Sequence, residues 1–237
     1  DNNTFNNSIY SSGIRFMADW WTDVSHATIL EGPLNITNNT FVQDQKIVNG
    51  DGVSMIDIRL TGESPTSQIN ISGNSISFSG TFDVSNYGLL VRGPLTNLTL
   101  ADNTFDGGEV GGASVDLPPT TGVLLGTDHS YWGPISSSAN LDISVNTITG
   151  FVNGVGIYDF NTMAYGNLSA GAVVSLEENK ILGNDVDINY GAGEEVDASP
   201  NWWGSVVGPD AGQVIGTVDF VPWCEDETCT TFMPNGD

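Results

Sequence analysis

Asparagine recurs along this chain in one fixed setting, and that setting restricts the fold more than any other feature. The segments Leu34–Phe41, Ile69–Ile76, Leu98–Phe105, Leu141–Ile148, Val174–Ile181 and Val196–Trp203 share one pattern. Each has apolar residues five and three positions before an Asn and another two positions after it. The shared residues are Asn39, Asn74, Asn103, Asn146, Asn179 and Asn201, and a shortened seventh copy surrounds Asn3. Successive spacings are 36, 35, 29, 43, 33 and 22 residues. One short strand plus a connection of variable length is the signature of a solenoid.

Apolar residues at alternate positions read as a strand with one buried face. A single coil cannot bury that face, but stacked neighbours can. Seven coils at the inter-strand spacing would give a rod roughly 30–35 Å long. The shared Asn falls where the first strand ends. Stacked Asn side chains there can bond to one another and to turn backbone, forming a ladder that satisfies groups a corner would strand. A second strand opens on a glycine at Gly13, Gly52, Gly88, Gly122 and Gly154, where positive φ or a tight bend would turn the chain. Each coil therefore needs at least two strands, and the longer coils a third. No stretch shows a sustained helical period.

The expected architecture is an all-β parallel β-helix of about seven coils over residues 1–223, with a tail at 224–237. Twenty-nine glycines suit turn-rich β structure. The net charge is −24 with only five basic residues, Arg15, Lys46, Arg59, Arg92 and Lys180. Such a surface repels nucleic acid and anionic membranes. No apolar run approaches the ~20 residues of a membrane span, and no signal peptide is visible. The chain opens inside a repeat with no capping helix, so bare strand edges would let copies join as a homo-oligomer or polymer. Cys224 and Cys229 are spaced for a disulfide, which would indicate an extracellular setting; a bond to another subunit is the alternative. Sequons at Asn2, Asn6, Asn35, Asn38, Asn70, Asn97 and Asn167 are glycosylation candidates. Asn35 and Asn70 share an outward column, where two glycans would crowd.

From Asn201 the chain reads Asn-Trp-Trp-Gly204, then Gly208-Pro209-Asp210, then Val218-Asp-Phe-Val-Pro-Trp223. This resembles the final coil of secreted right-handed parallel β-helix repeat proteins in the pectate-lyase-like superfamily, many of them large surface proteins of bacteria and archaea. The resemblance implies the architecture and not an activity. Trp203 takes the inward slot of Phe41 and Ile76, which leaves Trp202 outward as a lid or, alternatively, a sugar platform. Trp20, Trp21, Tyr131 and Trp132 lie in inserts and are candidate contacts for a partner.

Lyases and hydrolases of this superfamily use outward carboxylates, often with calcium, beside a basic residue. The best match here is Asp57 and Arg59, alternating with Ile56, Ile58 and Leu60, with Arg92 one coil on and Asp128 and His129 near the next. An Arg beside carboxylates could abstract a proton next to a bound uronate; an ordinary ion pair explains the same residues. No catalytic motif of the superfamily maps onto them residue by residue. His26 reads as a solvated loop residue. No cofactor motif is present. Calcium candidates are Asp185, Asp187, Glu194 and Glu195, with Glu177, Glu178 and Asp197, although these read first as an acidic face. The column Thr4, Thr40, Ser75, Thr104 and Thr147 resembles an ice-binding array, against ordinary strand chemistry. The leading expectation is a non-enzymatic, self-assembling subunit of a surface layer, sheath or filament outside the cell. A glycan-binding or lyase-like module is the alternative, and ice binding a lesser one.

Overall fold

A computed structural model of the chain describes residues 1–6, 13–17, 32–44, 53–60, 68–79, 84–108, 118–128, 135–166, 168–191 and 193–233. The described residues form a parallel β-solenoid and contain no helix. Three sheets build it, so each coil carries three strands where two were read as the minimum. The first sheet stacks the strands that precede each Asn, from Leu34–Thr37 and Gln68–Ser72 to Val196–Asp197 and Val218–Asp219. The second stacks the strands that follow it, from Thr4–Asn6 to Lys180–Leu182. The Asn motif therefore spans two sheets and the bend between them. The third sheet stacks the longer strands Val53–Arg59, Asn86–Arg92, Thr121–Asp128 and Asn153–Asp159, flanked by Ile14–Met17, Val186–Asn189 and Val214–Ile215. Among the described residues no helix is long and apolar enough to cross a membrane.

About four turns are fully developed, rather than the seven coils expected. They are the levels whose third-sheet strand runs seven or eight residues. Beyond them that strand shortens to four residues and then two. The Asn motif marks a level wherever the bend recurs, whereas a complete turn needs three strands long enough to pair.

Like residues lie over like in the interior. Second-sheet register runs Phe5, Phe41, Ile76, Phe105, Ile148, Ile181. First-sheet register runs Ile36, Ile71, Leu100, Ile143, Leu176. From Phe41 and Ile71 onward these side chains are fully buried, each contributing about 1.5–3 kcal/mol of hydrophobic stabilisation. Trp203 continues the inner file, 3% exposed and edge-on to Phe220 at 6.5 Å. Trp202 is half-buried and bridges Lys180 on the outer side.

The Asn file is continuous. Each Asn donates its Nδ2 and its backbone N–H to the Oδ1 of the next: Asn3 to Asn39, Asn39 to Asn74, Asn74 to Asn103, Asn103 to Asn146, Asn146 to Asn179 and Asn179 to Asn201, at 2.8–3.1 Å. From Asn74 onward the Nδ2 also serves a buried carbonyl one level back, such as Ile36 O, Ile71 O and Leu100 O. The residue before the ladder Asn is left-handed at six levels: Asn2, Asn38, Gly73, Asp102, Val145 and Glu178. Asn, Asp and Gly accept that conformation readily; Val does not.

The corner into the third sheet works differently from expectation. Gly88 and Gly122 are not at positive φ. A Cβ at Gly88 would lie 2.5 Å from Phe105 Cδ1, and one at Gly122 would lie 2.7 Å from Ile148 Cγ2. These glycines are needed because the corner backbone rests on the inner file of the second sheet. The second level also departs from the expected frame. Ile14 pairs with Ile56, so Met55 takes the glycine place, and Gly52 lies outside the described residues.

Candidate functional site

The third sheet differs from the other two in being buried on both faces. Its full strands Asn86–Arg92 and Asn153–Asp159 are buried at every position, as parallel strands with both faces covered are. The outer face carries Tyr87, Leu90, Leu124 and Tyr158, with Phe160 and Tyr165 packed against them. Part of the cover is the chain itself. After Asp159 it turns, and Ala164–Tyr165 pairs antiparallel with Tyr158–Asp159. The rings of Phe160 and Tyr165 each meet Tyr158 edge-on, at 5.0 and 5.1 Å.

Polar chemistry gathers at one end of this face. Register places Arg15 beside Asp57 and Arg59 beside Arg92. Asp57 is fully buried and accepts from Arg15 Nε at 3.1 Å, from Arg59 Nε at 2.8 Å and from Arg59 Nη2 at 2.7 Å. The two-point contact with Arg59 is the strong form of a carboxylate–guanidinium pair. All three arginines of the sequence therefore converge on one patch of a protein whose net charge is −24.

Arg92 is bound differently. Its guanidinium lies 4.2 Å from the centre of the Phe160 ring, within the reach of a cation–π contact. Among the described residues nothing accepts a hydrogen bond from its buried Nε. Burial first, and then the neighbouring Arg59, pull Arg92 down to about 10. Gly126, the register partner of Arg92, leaves room for this arrangement, since a Cβ there would lie 2.9 Å from the Phe160 ring and 3.1 Å from Arg92 Cγ. Burial raises the phenols of Tyr87, Tyr165 and Tyr158 above their ordinary range, so they remain neutral.

The expected trio thus comes together, with two corrections. Asp57 and Arg59 do leave the strand on the side away from the core, but that side is covered, and Asp57 is sealed within its ion pairs. Arg15 belongs to the cluster although the sequence reading did not group it there. The misplaced glycine frame hid it: counted from Gly52, Arg15 faces Ser54, whereas the true register puts it opposite Asp57. Phe160, Tyr158 and Tyr165 carry no signal in the Asn frame, because they belong to a return segment that the repeat lacks.

Elsewhere the expected sites scatter. Among the described residues no three His, Cys, Asp or Glu side chains could hold a metal ion, so the calcium candidates Asp185, Asp187, Glu194 and Glu195 do not converge. Asp187 is instead a fully buried carboxyl. Its Oδ1 accepts from Asn184 Nδ2 at 2.9 Å, its Oδ2 has no partner, and desolvation pushes it up to about 7. Glu194, Glu195, Glu177, Glu178 and Asp197 are exposed. Cys224 and Cys229 are joined in a disulfide. Asn2, Asn6, Asn35 and Asn38 are exposed, and Asn70 and Asn97 half-buried. Asn70 Nδ2 donates to Asn35 Oδ1 at 2.8 Å, so the nitrogen a glycan would take is engaged. Thr4, Thr40, Ser75, Thr104 and Thr147 do line up, but the column ends in Lys180 and Trp202 and its neighbour mixes Val42, Ser77, Asp106 and Leu182. Asp128 closes a third-sheet strand. His26, Lys46, His129, Trp20, Trp21, Tyr131, Trp132 and Asn167 lie outside the described residues.

Comparisons with protein-family models, with curated proteins and with solved structures gave no match.

Proposed function

We propose that this chain is a structural β-solenoid of the cell exterior, a self-assembling subunit of a surface layer, sheath or filament. We take the coil to be right-handed, the hand that parallel crossovers in one sheet adopt almost without exception, and the affinity to be with the pectate-lyase-like repeat proteins. The observation that carries the reading is the state of Asp57. The carboxylate best placed for acid–base work is fully buried and bound to two guanidinium groups, a static arrangement that holds neighbouring strands together. The disulfide and the acidic surface fit an extracellular location. Sedimentation and electron microscopy of the purified chain over rising concentration, with and without calcium, test the assembly. Ordered particles are expected; a monomer at every concentration removes this part of the reading.

One observation favours a second reading, a module that binds acidic glycans. Arg92, stacked on Phe160 and walled by tyrosines, combines a cation with aromatic surface. A panel of uronate-containing polysaccharides tests it, with binding and the ultraviolet absorbance of unsaturated products as readouts. Binding or cleavage that disappears in Arg92→Ala would place this reading first.

A further inference from the structure

The second sheet needs an ending. At each level the amide after a ladder Asn donates to the carbonyl of the previous Asn: Thr40 to Asn3, Ser75 to Asn39, Thr104 to Asn74, Thr147 to Asn103, Lys180 to Asn146 and Trp202 to Asn179, at 2.7–2.9 Å. Asn201 closes the ladder, and its carbonyl accepts from Cys224 N–H at 2.9 Å. Cys224 therefore stands where a further second-sheet strand would begin, and it is fully buried.

The chain does not extend from there as a strand but folds back on itself. Cys224 is cross-linked to Cys229 and bridges Phe232 antiparallel. Glu225 N–H donates to Thr231 O at 2.8 Å and Met233 N–H to Trp223 O at 2.9 Å. The Asp226 carboxylate accepts the amides of Thr228, Thr230 and Thr231 and all three hydroxyls. The hydroxyls of Thr228 and Thr231 chiefly hold this acid below the usual carboxylate range. Glu227 pairs with Lys180 at 3.0 Å and ties the loop to the outer surface of the second sheet.

An open strand edge is a template for another strand. We propose that the disulfide-closed loop 224–232 is a redox-sensitive latch, which shuts this edge of the second sheet against strand addition by a second copy of the chain. An added dithiol gives the cystine two electrons and two protons, leaves two thiols, and departs as its own disulfide. Beyond its backbone bonds the loop then rests on the exposed hydrogen bonds of Asp226 and one exposed ion pair, which hold weakly. Cys224 can leave Asn201, and the carbonyl becomes available to an incoming strand. The latch does not depend on the chain assembling through other faces.

The test follows amide hydrogen exchange of the peptide spanning Cys224, and sedimentation, in the oxidised protein, after reduction of the folded protein, and in Cys224→Ser/Cys229→Ser. Reduction is expected to speed exchange at Cys224 at least tenfold and to yield larger species that reoxidation prevents from forming. The double variant should behave as the reduced protein does at all times. Asp226→Ala, which loosens the loop while sparing the cross-link, should open less than reduction does. Unchanged exchange at Cys224 after reduction overturns the latch, and so does faster exchange with unchanged sedimentation. A chain that forms no surface lattice when oxidised still retains the latch if reduction both speeds exchange at Cys224 and brings larger species, so the two readings fail separately.

Discussion

The ladder bend and the outer face of the third sheet belong to the same coils and follow contrary rules. At the bend one residue type recurs at every level, and each Asn meets the same partners as the Asn below it. On the outer face the column through Arg59 reads Met17, Arg59, Arg92, Gly126, Tyr158, with the residue type changing at nearly every level. Repetition lets every level serve as template and partner for the next, so its stability is spread along the rod. The outer face is a single local cluster that stands or falls by its few members.

The largest effect should come from removing the centre of that cluster. Asp57→Ala leaves Arg15 and Arg59 without their shared carboxylate at a covered site. Stranding one side of a buried ion pair costs about 3–5 kcal/mol. Urea unfolding should show a loss of unfolding free energy of that size, and a loss below about 1 kcal/mol would mean that solvent already reaches the cluster. Next comes a central ladder residue. Asn103 donates to Ile71 O, Ala101 O and Asn146 Oδ1 and accepts twice from Asn74, all at 2.9 Å. Asn103→Ala should cost about 3 kcal/mol, since buried backbone groups lose partners they cannot replace. Asn3→Ala, at an exposed level with one side-chain link to Asn39 at 3.1 Å, should cost under about 1 kcal/mol. Equal losses at the two positions would contradict a ladder whose worth depends on burial.

The same contrast explains what could be read in advance. The alternation around each Asn is a local pattern, and it correctly ordered the inner files of the first and second sheets. The cysteine spacing likewise matched a short bonded loop. Two things were hidden. The frame of the third-sheet strand at the second level turned on whether Gly52 or Met55 occupies the corner. Both are flanked by apolar residues, and only pairing between coils decides. Asp57 is buried with Arg15 and Arg59 bound to its carboxylate, and alternation reports which side of a strand a residue takes, not what covers it.

Asp187 sharpens the comparison because it is the inner corner's own exception. It pairs, in sequence with Ile188 and Val155, at the level where Gly154 stands one coil earlier. Its carboxyl titrates near 7 in the folded chain, against about 3.9 when unfolded. Between those values the unfolded chain has released this proton and the folded chain retains it. Stability therefore falls as pH rises from about 4 to 7 and levels off above, by on the order of 4 kcal/mol. Asp187→Asn should remove that contribution. Other acids titrate in both proteins, so the informative quantity is the stability difference between variant and parent, which should grow from near zero at pH 4 to its full value at pH 8. A difference independent of pH would mean that the carboxyl is ionised throughout.

A further substitution should also raise stability, and at every pH. Val145 sits before ladder residue Asn146 at φ 58 and is 49% exposed. At the equivalent place other levels use Asn38, Asp102 or Gly73. A β-branched side chain in the left-handed region crowds its own backbone, a cost of about 1–2 kcal/mol that Asn relieves by bonding locally. Since half of Val145 faces water, little packing is lost on replacing it. Val145→Asn should raise stability by about 1 kcal/mol, and Val145→Gly by less, because glycine adds freedom to the unfolded chain. A destabilised Val145→Asn would show that the bend draws on the valine's contacts more than it suffers from its backbone, and the rule of one shared bend at every level would then fail at its least regular member.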